Sequence, residues 1–325
     1  MRNILVTGGA GYIGSFMVKS LLERGDSVVV FDNLQRGHRN AVDRRAEFVE
    51  GDILHEKDIQ DIFKKHQFDA VLHFAGLISV EESSKKPEMY YENNVVGSQK
   101  LFSAALEIGN VKNFIFSSTA AVYGNPTKVP IPEDHPKNPT SPYGKSKLET
   151  EKNLQDLRER NNEVNYAILR YFNACGAAIN GEIGESHDPE THIIPLAIRA
   201  AMQNKEFKLY GTDYDTKDGT CIRDYIHVLD LVEAHILALD KIMGDGGGYC
   251  YNVGTGEGFT NREVVEMVRR VSDKDIQIVE AERRAGDSSE LVADVTKIKK
   301  ELGFSPQYSD LSTIVASAWK WHNPK

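Results

Sequence analysis

The stretch Ser141 to Lys147, SPYGKSK, sets a tyrosine four residues ahead of a lysine, directly after a proline and at the start of a helix-friendly run. On one helix, Tyr143 and Lys147 would point within about 40° of each other and share a face. A free phenol titrates near about 10 and is a poor base at neutral pH. A nearby ammonium favours the phenolate and is expected to pull that value down, making Tyr143 a proton acceptor for a hydroxyl under oxidation. On spacing alone an ordinary helical tyrosine with a solvated lysine is the better reading, and it is the company of the pair that defeats it.

That company begins at Gly8 to Gly14, GGAGYIG, which follows the run NILVT and opens the helical pattern YIGSFMVKSLLERG. Gly8, Gly11 and Gly14 allow a tight turn, close approach of a pyrophosphate and packing of helix on strand, while the free amides at the helix start attract the anion. Asp32 closes the second apolar run near the spacing at which a carboxylate accepts from an adenosine ribose. A carboxylate there repels an added phosphate, and the next residues are Asn33 and Leu34 rather than an arginine, so NAD is expected over NADP. An oxidised nicotinamide would add a second positive charge beside Tyr143. FSSTAAVYG supplies Ser117, Ser118 and Thr119 at the end of a further apolar run, where hydroxyls in an open α/β sheet meet ligands.

The stretch EIGESHDPETH carries Glu185, His187, Asp188, Glu190 and His192, all capable of holding a metal. No helical H-x-x-x-H pairs the histidines, and a polar loop holds such residues by default, so no metal is assigned.

The elements that must position these residues read as an α/β chain. NILVTG, SVVVFD, EFVEGD, DAVLHFAG, NFIFSS and NYAILRYFN alternate with helical patterns, and several are nearly continuous apolar runs, as strands buried on both faces of a parallel sheet require. The expectation is a doubly wound, mostly parallel sheet over residues 1–172, followed at 173–325 by a smaller α/β domain for the substrate, with some segments returning to the first. A length of 325 residues suits one large domain with a smaller one appended. The net charge of −9, from 39 Lys and Arg against 48 Asp and Glu, gives no basic footprint for nucleic acid or anionic lipid. Cys175, Cys221 and Cys250 lack C-x-x-C spacing, and no apolar run is long enough for a signal core or a membrane span, so a cytoplasmic protein is expected.

Taken together, VTGGAGYIGS, FAGL, NNVVG, FSSTAAVYG, PYGKSK, RYFNACGA, PETHIIP, YDTKDGTCIRDYIHV, YNVGTGEGFT and ERRAGD resemble, essentially end to end, the extended short-chain dehydrogenases/reductases and within them the UDP-glucose 4-epimerase family. The resemblance implies that Gly8, Gly11, Tyr12, Ile13 and Gly14 cradle the NAD pyrophosphate. Asp32 and Asn33 would hold the adenosine ribose, and Asp52 and Ile53 the adenine. Phe74, Ala75, Gly76, Asn93, Ser117 and Tyr171 would line the cofactor, with Lys147 on the nicotinamide ribose. Tyr143 would be the base and Thr119 its hydroxyl partner, both also touching the sugar. Asn173, His192, Ile193, Arg223, Tyr225, Arg284, Asp287 and Leu291 would bind the UDP-hexose, the arginines on the diphosphate and Asp287 on the uridine ribose. The implied reaction is transient oxidation at sugar carbon 4, rotation of the keto-sugar and return of the hydride, in a homodimer built on the helix from Tyr143 and another from about Glu88.

Related dehydratases resemble TDEVYG where this chain has Ala120 and Ala121, so elimination lacks its acid. Epimerases of UDP-N-acetylhexosamines or UDP-pentoses stay open, because Leu291, at the position that sets room for the sugar, is intermediate in size. A binding-only NAD protein would typically lack the Tyr143 and Lys147 pair. The chain departs from the usual KAVGES after FAGL, reading ISVEES with Ile78 and Glu81, which implies a weaker hold on the cofactor phosphates.

Overall fold

The computed structural model describes residues 1–284 and 287–324. The chain begins β1 (Asn3–Thr7), α1 (Tyr12–Glu23), β2 (Ser27–Asp32), β3 (Glu47–Glu50), α2 (Glu56–Lys65) and β4 (Ala70–His73). Short helices α3 (Val80–Lys85) and α4 (Pro87–Tyr91) pass through a π-helical turn at Glu92–Gly97 into α5 (Ser98–Glu107), β5 (Asn113–Thr119), α6 (Pro142–Arg160) and β6 (Asn165–Tyr171). Then come β7 (Asn173–Cys175), α7 (Ile193–Gln203), β8 (Phe207–Tyr210), β9 (Ile222–Arg223), β10 (Tyr225–His227), α8 (Val228–Asp245) and β11 (Gly248–Val253). The chain closes with β12 (Phe259–Thr260), α9 (Asn261–Ser272), β13 (Ile278–Ala281), β14 (Glu290–Leu291), α10 (Thr296–Leu302) and α11 (Leu311–His322).

Seven strands form the main sheet in the order β11-β6-β5-β4-β1-β2-β3, and β1 pairs in parallel with both β2 and β4. This is the Rossmann-type doubly wound arrangement. The order reverses beside β1, so the chain leaves β1 and β4 in opposite directions, and ligands of open α/β sheets bind at such a switch point. Ile4, Leu5, Val6, Val71 and Leu72 are wholly buried, which explains why these strands read as unbroken apolar runs. One layer of helices covers them through Ile62, Phe63, Leu101 and Phe102, packed with Phe114 and Phe116 into a single core.

The chain forms two compact units. One comprises residues 1–125, 136–170 and 232–251, and the other 126–135, 171–231 and the chain from Asn252 onward. The second has its own core, in which α7, α9 and α11 bury Ile194, Ile198, Val264, Val268, Ile314 and Val315. Residues 126–135 join it for a definite reason. The amide of Ile131 donates to the Val292 carbonyl at 2.8 Å, and Asn252 reaches back to the Ile131 carbonyl at 2.7 Å and, through its amide, to Glu133 Oε1 at 2.9 Å. The sequence expectation placed a boundary after residue 172 and did not foresee this excursion. Among the described residues no helix is long and apolar enough to cross a membrane.

Candidate active site

The nucleotide end is built by the turn from β1 into α1. Gly8 has φ of 72°, and a Cβ there would stand 2.5 Å from the Ala75 amide nitrogen, so the turn lies directly on Phe74 and Ala75 after β4. A Cβ at Gly14 would run into the Gly8 carbonyl. At Gly11 it would meet only Gly8 O, at 3.3 Å, so the mouth of the turn is open to a ligand. Gly11 caps α1 without a side-chain hydrogen bond, no acid lies in the first turn, and Tyr12 and Ile13 begin the helix, so this helix start suits an anion.

Asp32 ends β2 and accepts from the amides of Ala10 at 3.0 Å and Leu34 at 2.8 Å, which ties the second strand to the glycine turn. Burial raises its carboxyl, and the two amides act against that rise. Asn33 Nδ2 donates to Asp52 at 2.9 Å, joining the ends of β2 and β3, while buried Ile53 fills the space opposite Gly97. These residues fit an adenosine and its pyrophosphate.

Tyr143 and Lys147 lie one turn apart on α6, whose N-cap Ser141 accepts from the Gly144 amide at 3.1 Å with Pro142 at the first helical position. Lys147 is 3% exposed; its Nζ donates to the Ser117 carbonyl at 2.8 Å and lies over the Phe116 ring at 4.9 Å. Ser117 therefore serves through its backbone. A Cβ at Gly76 would sit 3.4 Å from Lys147 Nζ and 3.2 Å from Asn94 Oδ1, so the turn after β4 lies close against both side chains. Burial lowers the lysine to about 8, against a smaller opposing pull from Glu151.

Tyr143 corrects an expectation. Burial pushes its phenol up to about 12, and what lowers it is the hydrogen bond from Thr119, not the lysine. Thr119 Oγ1 already accepts from the Ala121 amide at 3.1 Å, which leaves its proton free to donate to the phenol oxygen. Tyr90 meets the Tyr143 ring edge-on at 6.5 Å.

Behind the pair lies machinery that the sequence reading did not find. Glu151, 1% exposed, accepts from Arg170 at 2.7 and 3.0 Å and from Ser118 Oγ at 2.5 Å, and Arg170 also donates to Tyr123 at 2.8 Å. Glu151 follows Lys147 by one turn, so K-x-x-x-E was the available signal, but it reads equally as a solvated helical pair. Asn93 lies in the π-helical turn and donates to Asn94, and Asn94 locks that turn to Leu77 and Ser146. A π turn within a helix recurs at functional sites because it re-aims one side chain.

In the second unit, β7 and β10 pair Asn173 with Tyr225, and β14 and β9 pair Leu291 with Arg223. Arg223 stands 3.6 Å from Asp287, and Asn173 Nδ2 donates to the Asp224 carbonyl at 3.1 Å. Buried Asp224 clamps the bend by accepting from Thr255, Gly256 and Ala293 amides at 2.8–3.1 Å. A pocket of about 290 Å³ is lined by Ile193, Leu196, Leu209, Tyr210, Arg284 and Asp287 among others. Arg284 stacks over Tyr210 at 4.2 Å. The β8 wall of this pocket was also missed, although FKLYG alternates as a half-buried strand does. Ala285 and Gly286 of the ERRAGD motif lie outside the described residues. Tyr171 ends β6 in this unit and is buried.

The imidazole of His192 faces two carboxylates. Its Nδ1 lies 2.6 Å from Glu185 Oε1 and 3.2 Å from Glu190 Oε1, and His187 Nδ1 lies 2.9 Å from the same Glu185 oxygen. The carboxylates raise the imidazole of His192, and the imidazoles hold Glu185 down to about 2 despite its burial.

The sequence profile of the NAD dependent epimerase/dehydratase family matches residues 4–254. A UDP-glucose 4-epimerase of Halalkalibacterium halodurans is 48% identical over 98% of this chain and 95% of its own length. One from Rhizobium meliloti is 48% identical over 99% and 97%. The crystal structure of UDP-glucose 4-epimerase from Brucella ovis in complex with NAD superposes with a TM-score of 0.94 at 46% identity, covering 98% of both chains. The chain therefore belongs to the NAD dependent epimerase/dehydratase family.

Proposed function

We propose that this chain interconverts UDP-glucose and UDP-galactose through transient oxidation at sugar carbon 4, the UDP-glucose 4-epimerase reaction, with Tyr143 as its proton acceptor. NAD, when bound, supplies the acceptor and later the donor of the hydride at that carbon. Tyr143 takes the proton of the 4-hydroxyl and gives it back after the keto-sugar has turned about its link to the diphosphate. Thr119 donates to the phenol oxygen and so stabilises the phenolate. Lys147 adds positive charge on the same helical face and is held by the Ser117 carbonyl. Gly8, Gly11 and Gly14 would receive the cofactor pyrophosphate, with Asp32 on the adenosine ribose.

Arg223 and Arg284 would engage the substrate diphosphate as planar forks, and Asp287 the uridine ribose. The side of the pocket formed by Leu196, Leu209 and Tyr210 suits a uracil ring. The observation that carries the reading is Tyr143 one turn ahead of buried Lys147 on α6, with Lys147 Nζ held by the Ser117 carbonyl at 2.8 Å, beside a glycine turn that opens α1 without a side-chain cap.

A second copy of this chain is the proposed partner, because Ile78, Val80 and Tyr91 stand 46–55% exposed around α3 and α4. The three free cysteines agree with a reducing cytoplasm. To test the reaction, purified protein is incubated with UDP-galactose without added NAD, and UDP-glucose formation is followed. Turnover is expected, because each cycle restores the cofactor. UDP-N-acetylgalactosamine in parallel reports the room beside Leu291. Conversion of neither sugar, even with NAD supplied, overturns the reading.

A further inference from the structure

The loop from Glu185 to His192 brings four metal-competent side chains together, although its histidines show no helical H-x-x-x-H spacing. One ligand atom from each of Glu185, His187, Glu190 and His192 lies within 4.8 Å of the others. Both histidines direct Nδ1 at one oxygen, Glu185 Oε1. The Glu190 side chain is fully buried, and its Oε2 has no hydrogen-bond partner among the described residues. Burial leaves a carboxylate oxygen unsatisfied at a cost of about 1–3 kcal/mol or more, so the site calls for a cation.

We propose that Glu185, His187, Glu190 and His192 form a closed four-ligand site for a divalent transition ion of the zinc class. Two imidazole nitrogens with two carboxylates favour zinc, cobalt or nickel over magnesium or calcium, which take oxygen alone. A tetrahedral ion with bonds of about 2.0–2.2 Å needs ligand atoms about 3.3–3.6 Å apart, so the cluster closes by small side-chain shifts. The two carboxylates neutralise the ion's double charge.

The loop is anchored for this. Trp321 Nε1 donates to the Glu185 carbonyl at 2.9 Å, Gly184 pairs with Ala177, and Glu190 Oε1 is oriented by the Thr191 and His192 amides at 2.8 and 2.9 Å. With all four positions taken by protein, the ion is structural rather than catalytic and fixes the loop onto the start of α7. His192 then belongs to the ion and not to the substrate.

The test uses untagged full-length protein purified without chelator from zinc-supplemented cells. Plasma mass spectrometry should find about one zinc per chain. Cobalt added to chelator-stripped protein should give the strong visible bands of a four-coordinate ion, saturating at one per chain. His187→Ala and Glu190→Gln should each weaken cobalt uptake by at least about tenfold. Wild-type uptake below about a tenth of an ion, pale six-coordinate cobalt, or uptake unchanged in both variants overturns the proposal. The wild-type spectrum stands whether or not a variant folds.

Discussion

At the residue scale, the proposed base is a phenol whose own surroundings oppose its ionisation. Burial pushes Tyr143 up to about 12, and Thr119 acts against that rise. Activity needs the deprotonated form, so the turnover rate should rise with pH along its acid limb. Thr119→Val removes a hydrogen bond that lowers the value, so the limb should move to higher pH, while Tyr143→Phe should cost at least about a thousandfold in kcat with UDP affinity little changed. Rate profiles against pH for the three proteins check both, and near-normal turnover of Tyr143→Phe would end the assignment of the base. Glu151→Gln should behave differently. It leaves Arg170 buried with a weakened partner, and breaking a buried pair destabilises by about 3–5 kcal/mol. Because Glu151 also raises Lys147, the lysine should titrate lower in the variant, a shift that lysine-specific labelling against pH can follow. The tyrosine and lysine were legible because their spacing and the adjacent glycine motif are chemical signals. Glu151 and Arg170 were not, because a charged residue on a helix or strand reads as solvated until α6 and β6 are placed side by side.

At the element scale, the readable parts were those whose pattern follows from burial. The middles of β1, β2, β4 and β5 are continuous apolar runs because both faces are covered, and the glycine turn was legible because only glycine tolerates its geometry at Gly8 and Gly14. The two-residue strands β9, β12 and β14 are too short for any alternation to show. The π-helical turn at Glu92–Gly97 is set by side-chain locks such as Asn94 to Leu77, which no local propensity encodes. The glycine turn also carries a direct prediction. Gly14→Ala drives a methyl into the Gly8 carbonyl, and overpacking of this kind costs about 1–3 kcal/mol. The strain falls on the turn that would receive the pyrophosphate. Purified Gly14→Ala should therefore carry substoichiometric NAD by absorbance and regain turnover as NAD is added, and a full complement of retained cofactor would show that the turn tolerates the methyl.

At the scale of the whole molecule, the chain is acidic, with a net charge of −9, yet its proposed cofactor and substrate are both anions. The binding energy must then come from local donors, and the chain separates these by task. Amides at the start of α1 suit one pyrophosphate, whereas Arg223 and Arg284 in the second unit suit the other. Contacts to a nonreacting diphosphate are made equally in the ground and transition states, so they set how much substrate is bound rather than how fast it reacts. Arg284 is a clean probe of this, because its guanidinium already rests on Tyr210 and is not part of the Thr119, Tyr143 and Lys147 group. A charge-assisted hydrogen bond contributes about 1.5–3 kcal/mol, so Arg284→Ala should raise KM for UDP-galactose by roughly tenfold to a hundredfold. Its kcat should stay within about threefold of the parent, the reverse of the Tyr143→Phe pattern. Added salt should raise the parent's KM more steeply than the variant's, since a screened arginine and a missing one are similar losses. If Arg284→Ala instead lowers kcat as far as Tyr143→Phe does and leaves KM alone, Arg284 acts on the reacting sugar, and the division between holding the nucleotide and oxidising the hexose does not describe this enzyme.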